Sequence, residues 1–265
     1  MPWLDHDAAL APRLLACLDL TDLTDTCTAQ DVARLCQQAQ GLDEAAQTLG
    51  PLPAVAAVCV WARFAQTARA ALPASIRVAA VANFPTGDED LAAVASQIDT
   101  ILQAGAQEVD LVLPHRAWQA GDHAQAVAMV RLARRLCQGH TLKLILETGA
   151  FTDASALTQA CQMGLDEGVD FLKTSTGKRY PGASLWAAHL LLAALAAHPR
   201  PAGFKASGGL RTLADVRPYV ALLREHLGEA ALDPARCRIG ASALWQDLAR
   251  HVRGATAPTL GASGY

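Results

Sequence analysis

Three short stretches of this sequence set ionisable residues among aliphatic ones: EVDLVLP around Asp110, FLKTSTGK around Lys173 and GFKASGG around Lys205. Side chains alternate across a strand, so Val109, Leu111 and Leu113 share one face while Glu108, Asp110 and Val112 share the other. The apolar face should meet helices. That turns Asp110 inward, where an ionised carboxylate is costly without a cation or hydrogen bonds. The same spacing puts Phe171, Lys173 and Ser175 on one face and Leu172 and Thr174 on the other. Lys205 takes the equivalent place on the next strand, about 4.8 Å away. Two adjacent ammonium groups disfavour each other's charge and partial burial acts in the same sense, so one of them should be a free amine near neutral pH. A neutral lysine amine adds to carbonyls. With a carboxylate at hand for proton transfer, the pattern points to Schiff-base chemistry and to bond cleavage beside an iminium. Two blander readings stand beside it: Asp110 in a structural ion pair, and a strand lysine snorkelling to the surface. Two inward lysines together with an inward aspartate weigh against the second.

Glycines cluster after the last three of these strand-like segments, in Thr176-Gly177-Lys178, Gly208-Gly209 and Gly240-Ala241-Ser242. Each pair alone could serve only a tight turn. Three together beside Lys178 favour an anion site, where backbone amides and a helix N-terminus face a phosphate. The Gly177-Lys178 pair is no nucleotide-binding P-loop, because Leu172 stands where that motif requires a glycine. The eight histidines form neither HxH nor HExxH and make no Cys/His cluster with metal spacing. The expectation is therefore organic chemistry with neither ATP nor a metal.

These residues need a scaffold that brings strand ends together. Short Val/Ile/Leu runs alternate with Ala/Leu-rich helical stretches, the pattern of repeated β/α units around a parallel sheet. Strands are predicted at Leu15 to Leu20, Ala56 to Trp61, Arg77 to Asn83, Glu108 to Pro114, Leu142 to Glu147, Phe171 to Ser175, Gly203 to Ser207 and Arg238 to Ser242. The helices that follow them are predicted at Thr28 to Gln40, Ala62 to Leu72, Glu89 to Ala104, Ala124 to Cys137, Ala154 to Glu167, Ser184 to His198, Leu213 to Leu227 and Ala243 to Val252. Thr28, Asp88, Asp153, Ser184, Thr212 and Ser242 sit where N-caps belong. An open doubly wound sheet would carry a glycine-rich loop after its first strand, and LDLTDLTD has no glycine. The predicted architecture is thus an α/β single-domain (β/α)8 TIM barrel over residues 1–253, with 254–265, GATAPTLGASGY, as a mobile tail.

Composition agrees with an enzyme core and excludes several other classes. The 265 residues are 52% hydrophobic and 18% charged, which fits a sheet wrapped in helices rather than a disordered or coiled-coil chain. Net charge is -3 with no basic cluster, so no nucleic-acid partner is expected. Seven scattered cysteines make no disulfide framework and suggest reduced thiols in a cytoplasmic protein. The N-terminus lacks a signal-peptide core, and the most apolar stretch, Ala183 to Ala197, is short and interrupted by His189; no membrane span is expected.

The segments LDLTDL, VCVW, ANFPTGDED, EVDLVLPHRAWQAGD, LKLILETG, DFLKTSTGK, GFKASGGLRT and RIGASAL resemble those of the deoxyribose-phosphate aldolases, from about Leu15 to Leu248. The resemblance implies a class I aldolase that converts 2-deoxy-D-ribose 5-phosphate reversibly to acetaldehyde and D-glyceraldehyde 3-phosphate, with no cofactor. It implies Lys173 as the imine-forming nucleophile, Lys205 as the neighbour that lowers its pKa, and Asp110 as an acid/base partner acting through a water. It adds Asp19 as a polar support near the substrate hydroxyl or the lysine pair, and Lys178 near the substrate's hydroxyl and phosphate end. Cys59 matches a cysteine that faces the pocket in some relatives, though between Val58 and Val60 it also fits an inert core thiol. Tyr265 matches a terminal tyrosine that in several relatives enters the site and assists proton transfer. Some relatives carry a second serine where this chain has Ala243, so one hydroxyl contact to phosphate would be missing. His115 replaces a tyrosine of the family pattern and is given no role. Relatives are often dimeric, which leaves monomer and homodimer both open here. A Schiff-base barrel enzyme with another sugar phosphate, and a non-catalytic phosphosugar-binding barrel, are the competing readings.

Overall fold

A computed structural model describes residues 7–42 and 50–256 of the chain. Its strands are β1 (Leu18–Asp22), β2 (Ala57–Trp61), β3 (Arg77–Ala82), β4 (Glu108–Val112), β5 (Thr141–Ile145), β6 (Phe171–Lys173), β7 (Gly203–Ser207) and β8 (Cys237–Ala241). They pair in parallel and in sequence order, and β8 returns to β1 to close the barrel. The helices are α1 (Asp7–Ala16), α2 (Ala29–Ala39), α3 (Ala65–Ala71), α4 (Leu91–Gln103), α5 (His115–Gln119), α6 (His123–Leu136), α7 (Ala154–Asp166), α8 (Leu185–Ala197), α9 (Leu213–Leu227) and α10 (Leu244–Thr256). Among the described residues, no helix is long and apolar enough to cross a membrane.

The (β/α)8 barrel expected from alternation is the one observed, with local differences that have physical causes. The first strand begins at Leu18 rather than Leu15, because Leu14 and Leu15 complete a helical stripe with Leu10 and Ala11. That stripe is buried, and α1 packs against α10. Thr28, Asp153, Ser184 and Thr212 cap α2, α7, α8 and α9 through their side chains. The cap of α4 is Asp90, not Asp88, whose carboxylate instead accepts the Thr86 hydroxyl at 2.6 Å and pairs with Arg116 at 2.9 Å. Ala243, not Ser242, immediately precedes α10. That helix runs to Thr256, three residues into the segment expected to be a tail. The remaining residues, 257–265, and with them Tyr265, lie outside the described residues.

Strand faces divide the interior. Val58, Val60, Val109, Leu111, Leu142, Leu144, Leu172 and Phe204 point outward and join the buried helix faces in one large core. Each fully buried aliphatic side chain there contributes about 1.5–3 kcal/mol. Inside the barrel a smaller apolar group, Leu23, Cys59, Ala79 and Val81, packs with Trp61 and Phe84. Beside it in the lumen lie Asp19, Glu108, Asp110, Lys143, Lys173, Lys205 and Arg238, all buried.

Candidate active site

Strand register brings the predicted residues together. Lys173 of β6 stands beside Lys205 of β7, and Asp110 of β4 beside Lys143 of β5. Both Lys173 Nζ and Lys205 Nζ donate to the same oxygen, Asp110 Oδ2, each at 2.7 Å. Lys205 also donates to Asp19 on β1. Asp19, Asp110 and Lys205 are wholly buried, while Lys173 keeps 4% of its surface exposed.

Beneath them lie three charged residues that were not singled out as functional. Lys143 donates to Asp110 Oδ1 at 2.8 Å and lies 2.5 Å from Glu108 and 3.4 Å from Asp19. Arg238 of β8 forks between two carboxylates, reaching Asp19 Oδ1 at 2.7 Å and Glu108 Oε1 at 2.9 Å. Its Nε donates to the Pro234 carbonyl at 2.5 Å, and its guanidinium lies 5.5 Å from the Phe171 ring centre. The sequence carried their signal: Lys143 sits between Leu142 and Leu144, and Arg238 between Cys237 and Ile239, at the inward places of apolar strands.

Burial and pairing act differently on the two catalytic-candidate lysines. Burial, above all, lowers the pKa of Lys173; Asp110 opposes this, and Lys205 adds a smaller downward push. Crowding by a second cation, expected to be the main cause, is therefore the lesser one. Burial also pulls Lys205 down, but Asp110 and Asp19 outweigh it and hold its pKa above the ordinary lysine value. Burial likewise pushes the carboxyl of Asp110 up, yet Lys143, Lys173 and Lys205 together bring it well below the ordinary range. The arrangement thus offers a destabilised ammonium beside a firmly charged one, bridged by a carboxylate oxygen that can pass protons between them. Cys59 Sγ lies 4.0 Å from that oxygen, and burial pushes its thiol pKa up, so it is a protonated thiol in the barrel wall.

Above Lys173 the strand ends open into a cleft of about 520 Å³. Thr176, Gly177, Lys178, Gly208, Gly209, Gly240 and Ser242 all line it, with Lys173 in the same lining. Asp19, Asp110, Lys205 and Cys59 do not; they lie below. Gly240 leaves room for the second lysine, since a Cβ there would stand 3.1 Å from Lys205 Cε. Gly208 has φ +92°, and a Cβ on it would come within 2.8 Å of the Gly182 Cα, so the two loops close on each other only as glycines. Lys178 Nζ lies 3.1 Å from Asp25 Oδ1 and 5.8 Å from the Trp61 ring centre. Glu147, another residue not foreseen, is buried in a left-handed conformation with φ 56°. It accepts the Thr176 amide hydrogen at 3.2 Å and the Thr176 hydroxyl, which fixes the loop that carries Lys178. Ala243 lines the cleft with a methyl group where a second serine was considered. His115 stays out of it, buried against the Leu113 carbonyl at 3.3 Å and edge-on to Tyr180.

Comparison with known proteins identifies relatives of this chain. A family model described as DeoC/LacD family aldolase matches residues 14–232. A deoxyribose-phosphate aldolase of Agrobacterium fabrum (strain C58 / ATCC 33970) is 39% identical over 258 residues, covering 96% of either chain. Two solved structures share the fold. One, from Toxoplasma gondii ME49, superposes with a TM-score of 0.83 at 23% identity over 94% of this chain and 98% of its own. The other, a tetrameric deoxyribose phosphate aldolase from Aeropyrum pernix, gives 0.67 at 24% over 92% and 93%.

Proposed function

We propose, from the premise that this chain belongs to the DeoC/LacD aldolase family, that Lys173 is the residue through which it cleaves 2-deoxy-D-ribose 5-phosphate. The chain is a carbon-carbon lyase that yields acetaldehyde and D-glyceraldehyde 3-phosphate through a Schiff base. The observation that carries the site assignment is the shared oxygen: Lys173 and Lys205 both donate to Asp110 Oδ2, yet only Lys205 has a second carboxylate. Lys173 is therefore the amine that loses its proton and attacks C1 of the open-chain sugar.

Asp110, charged in the resting site, receives and returns the protons of carbinolamine formation and of water loss, and Lys205 resupplies it. The resulting iminium draws the electrons of the C2–C3 bond. The C3 hydroxyl gives its proton through a water to Asp110 as that bond breaks, glyceraldehyde 3-phosphate leaves, and the C1–C2 fragment remains as an enamine on Lys173. Protonation at C2 and hydrolysis of the iminium release acetaldehyde and restore the amine. Asp19 holds Lys205 in its charged form. Thr176, Gly177, Gly208, Gly209, Gly240, Ser242 and Lys178 suit the phosphate end, because their backbone and side-chain donors ring the cleft. Cys59 serves as wall, and Tyr265 is proposed only through the family resemblance. The reading needs no cofactor, and a second copy in a homodimer and a cytoplasmic setting, which the seven buried free cysteines support, complete it.

Borohydride reduction with deoxyribose 5-phosphate, followed by peptide mass spectrometry, should leave a stable adduct on Lys173. Lys173→Met should give none and lose turnover while keeping its fold by circular dichroism. An adduct on Lys205 or Lys143 instead would overturn the assignment.

A further inference from the structure

The charges beneath Lys173 do not balance. Seven side chains form one connected ion-pair network inside the strands: Lys143, Lys173, Lys205 and Arg238 against Asp19, Glu108 and Asp110. Within these pairs four cations thus face three carboxylates, all almost fully buried, and an uncompensated buried charge is costly. Glu147, the other buried carboxylate among the described residues, shares none of these pairs and spends its oxygens on Thr176, so it acts on Lys173 only from beyond ion-pair distance.

Resting on the assignment of Lys173 as the imine-forming residue, we infer that Arg238 is a positioning residue: its permanent charge, fixed on Asp19 and Glu108, obliges the network to release one proton, and Lys173 is the group that releases it. A guanidinium does not deprotonate in a protein, so the proton has to come from a lysine. The lysines are not equivalent. Among the described residues Lys143 pairs with Glu108, Asp110 and Asp19, and Lys205 with Asp19 and Asp110, whereas Lys173 pairs with Asp110 alone. Lys173 is also the only one of the three that lines the cleft, where a proton can leave. The groups facing it are Asp110 from β4, Lys205 from β7, Cys59 from β2 and Glu147 above β5, with Lys143 of β5 on the other oxygen of Asp110. Those facing Arg238 are Asp19 from β1, Glu108 from β4, Lys143 from β5 and the ring of Phe171 from β6. Lys205 crowds Lys173 directly; Arg238 acts from below, by occupying carboxylate capacity that would otherwise hold a third lysine proton.

The test is the pH dependence of imine formation at Lys173, measured with acetaldehyde and cyanoborohydride and read by peptide mass spectrometry. Four proteins are compared: the parent, Arg238→Met, Glu108→Gln, and the double variant. Arg238→Met leaves three cations against three carboxylates, so the midpoint should rise by about one unit, making trapping about tenfold slower on the acid side. Glu108→Gln leaves four against two, and the midpoint should fall by a similar amount. The double variant has three against two, the parent's surplus of one, and its midpoint should return to the parent's. Packing damage would slow trapping without reversing the direction of the shift. Should Arg238→Met not fold, Glu108→Gln against the double variant isolates the same charge, since those two differ only at residue 238. Midpoints that stay fixed, or that move in the same direction in both single variants, would overturn the inference. Absence of any Lys173 adduct in the parent across the pH range would instead overturn the assignment of Lys173 itself.

Discussion

The barrel lumen and the cleft above it meet at Lys173, yet they are built on opposite principles. Below the amine, Asp19, Glu108, Asp110, Lys143, Lys205 and Arg238 are charged and almost fully buried. Above it, glycines and hydroxyls dominate, and Lys178 pairs with Asp25, which is 85% exposed. Charges in the lumen are hardly screened, so each one changes the protonation of its neighbours. The Lys178–Asp25 pair sits in water, where such pairs contribute little and exchange readily. The lumen should therefore govern how reactive Lys173 is, and the cleft how tightly a phosphorylated substrate sits.

The largest expected effect that separates the two regions belongs to Asp110. Asp110→Asn should lower kcat by about a thousandfold, within the range of a lost general acid/base. It should also move the midpoint of Lys173 imine formation to lower pH, because Asp110 is the one ion-pair partner that holds a proton on this amine. A pH profile of kcat beside cyanoborohydride trapping checks both. A change confined to KM would break the division between lumen and cleft.

A smaller effect is expected at the mouth. Lys178→Met should raise KM for deoxyribose 5-phosphate about tenfold, a loss of roughly 1.4 kcal/mol of binding, with kcat nearly unchanged and the pH midpoint fixed. The same substitution should hardly alter KM for unphosphorylated deoxyribose, and added salt should narrow the gap between parent and variant. Steady-state kinetics with both sugars at two ionic strengths measure this. A shifted pH midpoint would show that Lys178 belongs electrically to the lumen.

The two regions also differed in how much of them could be read from the sequence. Alternation alone turned Asp110, Lys173 and Lys205 inward, because each stands between residues that prefer the helix side. The same rule held for Lys143 and Arg238, but it says nothing about which buried charges touch, and only closure of β8 onto β1 brings Arg238 to Asp19 and Glu108. That the glycine loops would meet at one cleft was legible because their spacing after β6, β7 and β8 is local. Their support was not: Glu147 reaches Thr176 across 29 positions, and its left-handed backbone has no composition signal. At the N-terminus, Leu14 and Leu15 fit strand and helix equally until α10 is there to cover them.

The least of the expected effects concerns stability, and its sign follows from the lumen's chemistry. The pKa of Lys173 is lower in the folded chain than the ordinary lysine value of about 10.4 it takes when unfolded. Below the unfolded value the unfolded chain holds more protons at this position, so the lysine opposes folding there; the cost is greatest below the folded pKa and vanishes once pH exceeds the unfolded one. Lys173→Met keeps an unbranched side chain only one atom shorter and removes that cost, while Asp110 retains Lys143 and Lys205 as partners. Melting at neutral pH should therefore rise by about 2 °C, the scale of a stabilisation near 1 kcal/mol in a chain of this size. The gain should shrink as pH is raised toward 10. A variant that melts lower than the parent at pH 7 would mean that the Lys173–Asp110 pair stabilises the lumen more than burial of the amine destabilises it, and the reactive and structural halves of the network would then not be separable.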